Sequence, residues 1–486
     1  MFSRELKETN KGVKLTMYEI PNEYYIRLHH CRPRFKGDIE NVLIYMAEEI
    51  SKLPELPSNE YDEKINQSIR CFPGNINKTL KTINNWRTEI SSLFGFIQTD
   101  VETAKAGLRA KELAEKQDLV ECFKMFLYNF QYPGAHIKSH EILKLIEAGV
   151  SFKPAQYLLK ILKYAEDSTG KRQYITKAEF CHCIFNDLRC VRDKEDFSLT
   201  WNRITQNREN DIEYEQAGDI IRYAGDIIDY MEIANLLVTH DGFNFYINTL
   251  ENAAVLKFIN STDWFSDYDK MIENGTATLE EINNCKKRWY EYVNRDIADT
   301  VFETDVLAFI SSNENEYAEL QKQSLNLYDE KLEDTEKLRT KDIGDIGESL
   351  VFGHECQRIK IGGRDDLIHL IKRIPTQLAV GYDIQSVELD ERKRYIEVKS
   401  TISSKPLHFN KIHLTPNEWS TAQTVNDRYF VYRLMISKAE KKLYILQDPV
   451  RLYKNDLIDM SIKDGAEITF YPQTSGNYEE LLSWKG

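Results

Sequence analysis

Three residues carry the chemistry most directly readable from this chain: Asp383, Glu397 and Lys399. Asp383 lies in Gly381-Tyr382-Asp383-Ile384, the other two in Ile396-Glu397-Val398-Lys399. Each stretch reads as a short apolar strand carrying an acid. Side chains alternate faces along a strand, so Glu397 and Lys399 share one face while Ile396 and Val398 take the core face. If the two strands pair, Asp383 lies beside Glu397, and two carboxylates and one ammonium meet at one point. Two hard oxygen ligands suit Mg²⁺, and a lysine next to the ion can hold or deprotonate a metal-bound water. That is what phosphodiester hydrolysis requires. On spacing alone, the same residues fit an ordinary salt-bridged hairpin equally well. The aspartate adds information because Asp is disfavoured in strands.

The segment Gly381–Ser386, the strand Arg394–Ser400, Leu414-Thr415-Pro416-Asn417-Glu418-Trp419 and Tyr429-Phe430-Val431-Tyr432-Arg433 together resemble a PD-(D/E)xK nuclease domain. Within that superfamily they are similar to the Mrr-like and NO-VEIN-type C-terminal domain of bacterial restriction and defence proteins. The family's opening helix bears G-E, matched by Gly347-Glu348. The resemblance covers Lys341 to Gly486, under a third of the chain, and departs from the pattern in having Tyr382 where the superfamily's nominal proline stands. It implies an α/β core with a central mixed sheet. It also implies Asp383 and Glu397 as metal ligands, the Val398 carbonyl as a further ligand, Lys399 orienting or activating water, and Glu348 as an outer or second-metal carboxylate. The implied cofactor is Mg²⁺, with Mn²⁺ substituting.

Arg364, in Gly362-Gly363-Arg364-Asp365-Asp366, is placed to meet a phosphate or to pair with a neighbouring acid. Lys405, His408, Lys411 and His413 read as a strand edge near the scissile backbone, Lys411 being the DNA contact chosen among them. Thr415 has N-cap character with Glu418 at capping-box spacing, so capping and packing are expected of Glu418 and Trp419.

At 486 residues the chain should hold about three domains. The pattern divides it into an α+β segment at 1–105, a winged-helix-like helical segment at 106–261, a helical connector at 262–340 and the nuclease core at 341–486. The N-terminal recognition region is therefore expected to be mainly α-helical. Strand-like pieces (Lys14–Ile20, Tyr24–His30) and helices (Asp38–Leu53, Asn77–Phe94) alternate in the first segment. In it, Arg32, Arg34 and Lys36, with Arg27, His29 and His30, form a basic stretch that can track a phosphate backbone or simply be solvated. In the second, helices lead to apolar runs around Asp241-Gly242, a hairpin signal. Helices followed by a hairpin fit a winged helix and equally a helical domain with a capping hairpin. Lys171 and Arg172, then Arg203, Asn207 and Arg208, are its candidate DNA contacts. Cys181-His182-Cys183 with Cys190 is read as core, because C-x-C in a helix splays the two thiols by about 200°.

No run approaches the ~18 apolar residues of a membrane span, and eight irregularly spaced cysteines fit reduced thiols. A cytoplasmic protein without membrane partners is expected. The net charge of −14 argues against a nonspecific coating protein and leaves a localised basic cleft open. The leading expectation is a restriction-type endonuclease acting on double-stranded DNA. It would be a homodimer at least on DNA, with a cognate DNA methyltransferase encoded nearby. The alternative is a nuclease effector of a multi-protein antiphage defence system, activated by a partner or ligand. A non-enzymatic DNA-binding scaffold is the third reading.

Overall fold

The computed structural model describes residues 16–29, 31–100, 102–297, 300–311, 313–329, 342–375, 378–408, 410–462 and 464–482, with side chains of 323–329 excepted. The chain forms two compact units. The first comprises 1–36, 54–108 and 123–301; the second comprises 37–53, 109–122 and 302–486. This division differs from the four segments drawn from the sequence. The expected connector is split, with helices Ser266–Asn274 and Leu279–Val293 in the first unit and residues from Phe302 onward in the second. Lys14, His30, Phe409, residues 330–337 and Lys341 fall outside the described residues.

The first unit is mainly helical, and its core is aromatic. Phe94, Phe126 and Tyr230 pack with Phe123, and Trp289 packs with Phe265 and Tyr268. The strands expected at 14–20 and 24–30 are not strands among the described residues. Only isolated bridges occur there, Met17 to Glu213 and Tyr25 to Asp187. Pro21 supplies no amide donor for a ladder and Tyr24 turns back onto its carbonyl. The hairpin signal does give a hairpin, Leu237–Thr239 against Phe245–Ile247, with Tyr174–Ile175 on the other side of the latter strand. Asp241 fixes its turn by accepting from the amides of Phe243 and Asn244, each at 2.8 Å. Thr176 and Glu179 form a capping box, but the helix it opens changes to a π-helix over Cys181–Phe185. Cys181, Cys183 and Cys190 are buried free thiols.

In the second unit a six-stranded mixed sheet runs in the order Asn477–Glu480, Lys441–Gln447, Tyr429–Ser437, Lys393–Ser403, Ile384–Val387, Lys372–Arg373. Only the central pair, Lys393–Ser403 with Tyr429–Ser437, is parallel. Its crossover includes the helix Pro416–Val425, as parallel neighbours demand. One face buries Ile396, Phe430, Tyr432 and Leu434 with Val351 and Ile359 of the helix Ile343–Ile361. The other buries Val431 and Tyr444 with Trp419 and a second, antiparallel sheet of Lys411–Leu414, Ala466–Phe470 and Ile458–Ile462. The helix Ile39–Ser51 also belongs to this unit: Glu40 accepts from Ser404 Oγ at 2.6 Å, and Lys52 pairs with Glu467. Such distant pairings leave no local pattern.

The helix Ile343–Ile361 is anchored by one fully buried carboxylate. Glu355 accepts from Arg358 at 2.7 Å, Ser386 at 2.6 Å, Arg394 at 3.2 Å and Tyr432 at 2.8 Å, which ties the helix to three adjacent strands. Burial pushes this carboxyl up, but Arg394 and then Arg358 and Ser386 overcome it and hold it at about 2. A group depressed in the folded state stabilises fully above its unfolded value, about 4.3, and loses that contribution as pH falls toward 2. Glu355→Gln is expected to cost about 3 kcal/mol at neutral pH. Urea unfolding followed against pH should show the gap between wild type and variant closing below about pH 4.

Candidate active site

The ladder between Ile384–Val387 and Lys393–Ser403 begins with Ile384 opposite Ile396, which puts Asp383 next to Glu397. The Asp383 amide still donates to the Ile396 carbonyl at 2.9 Å. Its carboxylate then crosses the strand and accepts the Val398 amide at 2.8 Å. An aspartate at a strand start thus satisfies an amide that the ladder leaves open. Gly381 lets the preceding loop lie on the helix Pro416–Val425. Its φ is +78°, and a Cβ there would stand 2.4 Å from Thr421 Oγ1.

Strand alternation holds as expected: Ile396 is fully buried toward the helix Ile343–Ile361, while Glu397 and Lys399 turn to the opposite face. Glu397 is only 4 % exposed, and Lys399 Nζ donates to it at 2.6 Å. The same ammonium donates to Glu418 at 3.0 Å. Burial first, then Asp383 and Glu418, pushes the Glu397 carboxyl well above the usual range, with Lys399 pulling the other way. Asp383 is raised by burial against its bond from Val398. Lys399 is half-buried, and Glu397 and Glu418 outweigh the cost of that burial and hold it charged.

Glu348 reaches the same place from the helix. Burial and then the Asp383 carboxylate push it up to about 7, while Arg373 donates to it at 2.8 Å and pulls it down. Gly347 makes this approach feasible, because a Cβ there would sit 1.8 Å from Ser400 Oγ, one residue past Lys399. The structure therefore brings Asp383, Glu397 and Lys399 together, with Glu348 adjoining them through Asp383.

Glu418 joins them, which the sequence reading did not foresee. Its capping box with Thr415 is present and Trp419 is buried, as expected, but the capping carboxylate also holds Lys399. Burial opposes its ionisation, and Lys399 holds it below the usual value nonetheless. Arg373 was likewise missed. Neither residue had a local signal, because their roles arise from pairing across the fold.

The donor set suits a hard cation in one respect. Several carboxylates are crowded where one ammonium offsets only part of their charge. Among the described residues no group of three or more His, Cys, Asp or Glu side chains is placed to hold a metal unaided. Asp383 and Glu397 with a backbone carbonyl fit Mg²⁺, which keeps several waters and commonly uses one or two carboxylates plus substrate phosphate.

The other candidates are distributed differently. Arg32 pairs with Asp226 at 3.4 Å, Arg34 with Glu89 at 3.6 Å and Lys36 with Asp229 at 3.4 Å. Arg203 pairs with Glu195, and Arg208 with Glu179 at 2.6 Å. Asn207 donates to the Tyr214 hydroxyl at 2.9 Å. Lys171 is exposed, and Arg172 lies 5.0 Å over the Tyr246 ring beside the hairpin. Arg364 pairs with Asp366 at 2.8 Å and Glu391 at 3.0 Å. Lys411 stands in the second, three-stranded sheet rather than beside the E-x-K strand, bonded to Glu49 and Glu467 at 3.3 and 3.2 Å.

An interleaved helical unit and a mixed-sheet unit carrying an acid–lysine cluster define a two-part protein. A family model described as the N-terminal part of restriction endonuclease BpuJI matches residues 18–290, more than half of the chain, and the chain belongs to that family. A second model, the C-terminal part of the protein NO VEIN, matches residues 347–446, the stretch holding Glu348, Asp383, Glu397, Lys399 and Glu418. Among solved structures, one titled as pyrene- and phenanthrene-modified DNA in complex with the BpuJ1 endonuclease binding domain is 20 % identical. It covers 57 % of this chain and 100 % of its own, with a TM-score of 0.49. No curated protein matches. Among the described residues, no helix is long and apolar enough to cross a membrane.

The close contact at Gly347 generates an expectation. Gly347→Ala should destabilise the protein by about 1–3 kcal/mol through overpacking. Combining it with Ser400→Gly should recover part of that loss in thermal unfolding, giving a non-additive pair. Additive losses would mean that the helix and strand do not meet there.

Proposed function

We propose that this chain is a Mg²⁺-dependent restriction-type endonuclease. On this reading its N-terminal region recognises double-stranded DNA and its C-terminal part, a PD-(D/E)xK core, hydrolyses the phosphodiester backbone. The observation that carries the reading is the juxtaposition of Asp383 and Glu397 across adjacent strands, with Lys399 bonded to Glu397 at 2.6 Å. Membership in the BpuJI N-terminal family supports the recognition half.

Asp383, Glu397 and the Val398 carbonyl would hold the cation, with Mn²⁺ able to substitute. When bound, the cation supplies charge stabilisation for the phosphorane and the leaving oxygen. Lys399, kept as an ammonium by two carboxylates, donates: it orients a water and stabilises negative charge on the phosphate. Glu418 positions that ammonium, and Glu348 adds an outer carboxylate steadied by Arg373. The helix Pro154–Thr169, strand Tyr174–Ile175, helices from Lys177 on and the hairpin to Ile247 follow a winged-helix order, with Lys171 and Arg172 beside the wing. One active site per chain implies a homodimer at least on DNA for a double-strand break, and site-restricted cutting implies a protecting methyltransferase encoded nearby.

One observation favours the second reading, a partner- or ligand-activated defence effector. Most cationic side chains that the sequence offers for DNA in the first unit are engaged in internal ion pairs. Purified protein incubated with unmethylated plasmid and Mg²⁺ separates the two. Discrete fragments from the protein alone are expected, while absence of cutting until a partner is added would favour the effector. Asp383→Ala, Glu397→Gln and Lys399→Met should each lower cutting by about a thousandfold or more, in line with loss of transition-state electrostatics. Chelation should abolish cutting. An Asp383→Ala protein as active as wild type would sink the assignment.

A further inference from the structure

The strands Lys372–Arg373 and Ile384–Val387 are antiparallel neighbours in the sheet of the second unit. A turn of about two to five residues would join such a pair, yet the chain uses residues 374–383. The ends of this loop meet, because the Ile374 amide donates to the Asp383 carbonyl at 2.8 Å. Its last residue is therefore the proposed metal ligand. Compact loops of this length with closed ends are frequently functional.

Three successive carbonyls of the loop are held from outside it. Asn417 Nδ2 donates to that of Ala379 at 2.6 Å, the Thr421 hydroxyl to that of Val380 at 3.0 Å and the Tyr429 hydroxyl to that of Gly381 at 3.0 Å. Asn417 and Thr421 stand one turn apart on the helix Pro416–Val425, and Glu418, next to Asn417, bonds Lys399. The loop is thus fastened to the helix that steadies the site's ammonium. Tyr382 packs on Tyr395 with ring centroids 4.8 Å apart, a further restraint beside Asp383. Ala379 has a φ of +45°, a left-handed backbone that a residue with a Cβ keeps only where its surroundings impose it.

What this restrained loop turns to solvent is apolar. Leu378 is 61 % exposed and Val380 36 %. A single exposed apolar residue is ordinary. Here two of them flank the strained Ala379, on a loop whose fastenings keep them from folding back onto the surface. The stretch from Ile374 to Tyr382 also contains no acid, although the chain as a whole carries −14, and the exposed Lys372 precedes it. A polyanion meets less repulsion along this stretch than over the carboxylates beside it. Nucleic acid offers apolar partners as well as phosphates: sugar C–H groups, the thymine methyl, and base faces where a step is opened.

We propose that Leu378 and Val380 form an apolar contact surface for the DNA strand being cut, holding its sugars and bases beside Asp383. The partner named here rests on the endonuclease reading. Asn417, Thr421 and Tyr429 are positioning residues that act through the loop.

Binding of labelled duplex DNA is followed by anisotropy with Mg²⁺ in full-length Lys399→Met protein, which keeps the proposed metal ligands but should not cut. Adding Leu378→Ser should weaken binding by about tenfold, as expected for losing the burial of a leucine. Adding Leu378→Met, nearly volume-conserving, should largely retain affinity. The slope of log affinity against log salt should stay the same, because no phosphate contact is lost. Thr421→Val should weaken binding in the same direction and Thr421→Ser should restore it. In otherwise wild-type protein, Leu378→Ser should raise the KM for DNA with kcat changed far less, and should leave the melting temperature unchanged, as for a surface substitution. A large drop in melting temperature would show Leu378 to be a packing residue and overturn the proposal. Unchanged affinity in Leu378→Ser, or no DNA binding by the parent, also overturns it. Wild type that cuts DNA while Leu378→Ser cuts it equally well would remove this surface and leave the endonuclease reading intact. Leu378-dependent DNA binding by a protein that never cuts would retain the surface and overturn the endonuclease reading.

Discussion

The bond from the Val398 amide to the Asp383 carboxylate is the constraint on which the site depends. Two antiparallel strands can exchange amides only as far as their ladder runs, and here it ends at Ile384 and Ile396. The next inward amide of the long strand must find another acceptor or be buried unpaired, at a cost of about 1–3 kcal/mol. Supplying that acceptor from a side chain fixes the Asp383 carboxylate over the neighbouring strand, beside Glu397. A glutamate at 383 would be one methylene too long for that geometry. Asparagine would complete the bond without the charge. The backbone's need for an acceptor and the site's need for a carboxylate are met by one group.

Crowding carboxylates in a buried place is unfavourable, and the upward shifts of Glu397, Glu348 and Asp383 express that cost. It is sustained because the supporting elements are rigid. The helix carrying Glu348 is locked at one end by the close contact of Gly347 with Ser400, and eight residues on by Glu355, which gathers donors from three strands. A site held on packed strands and a doubly anchored helix can keep its charges within reach of each other without relaxing apart.

How much of this was legible depended on whether the determinant was local. The parity of Glu397 and Lys399, the Thr415–Glu418 capping box and the Asp241-Gly242 turn each need only a few adjacent residues, and each appears in the structure. The second duty of Glu418 does not: its bond to Lys399 depends on how the crossover helix packs on the strand. The helix Ile39–Ser51 joins a unit whose strands lie more than three hundred residues away, through Glu40 with Ser404 and Lys52 with Glu467. The strand of Lys411 is a similar case. It follows the E-x-K strand in sequence but pairs with Ala466–Phe470. Basic stretches mislead in a further way, since a run of Arg and Lys says nothing about the acids that fold against it.

Those ion pairs also sort the first unit's cations by what they can still do. An exposed pair is worth at most about 1 kcal/mol, so exchanging its carboxylate for a phosphate costs little. Arg34 is 52 % exposed and retains that freedom, whereas Arg32 pairs with Asp226, itself only 4 % exposed. Arg203 is largely buried and wedged between the largely buried Glu195 and the fully buried Asp187. Breaking such a pair strands a buried acid, a penalty of about 3–5 kcal/mol, which one phosphate contact would not repay. On the proposed reading, the first unit would therefore meet a polyanion at Arg34, Lys171 and Arg172, and not along the whole basic stretch. Arg433 is the opposite case, a buried cation in the second unit that makes no ion pair among the described residues and feels Glu48 only from a distance.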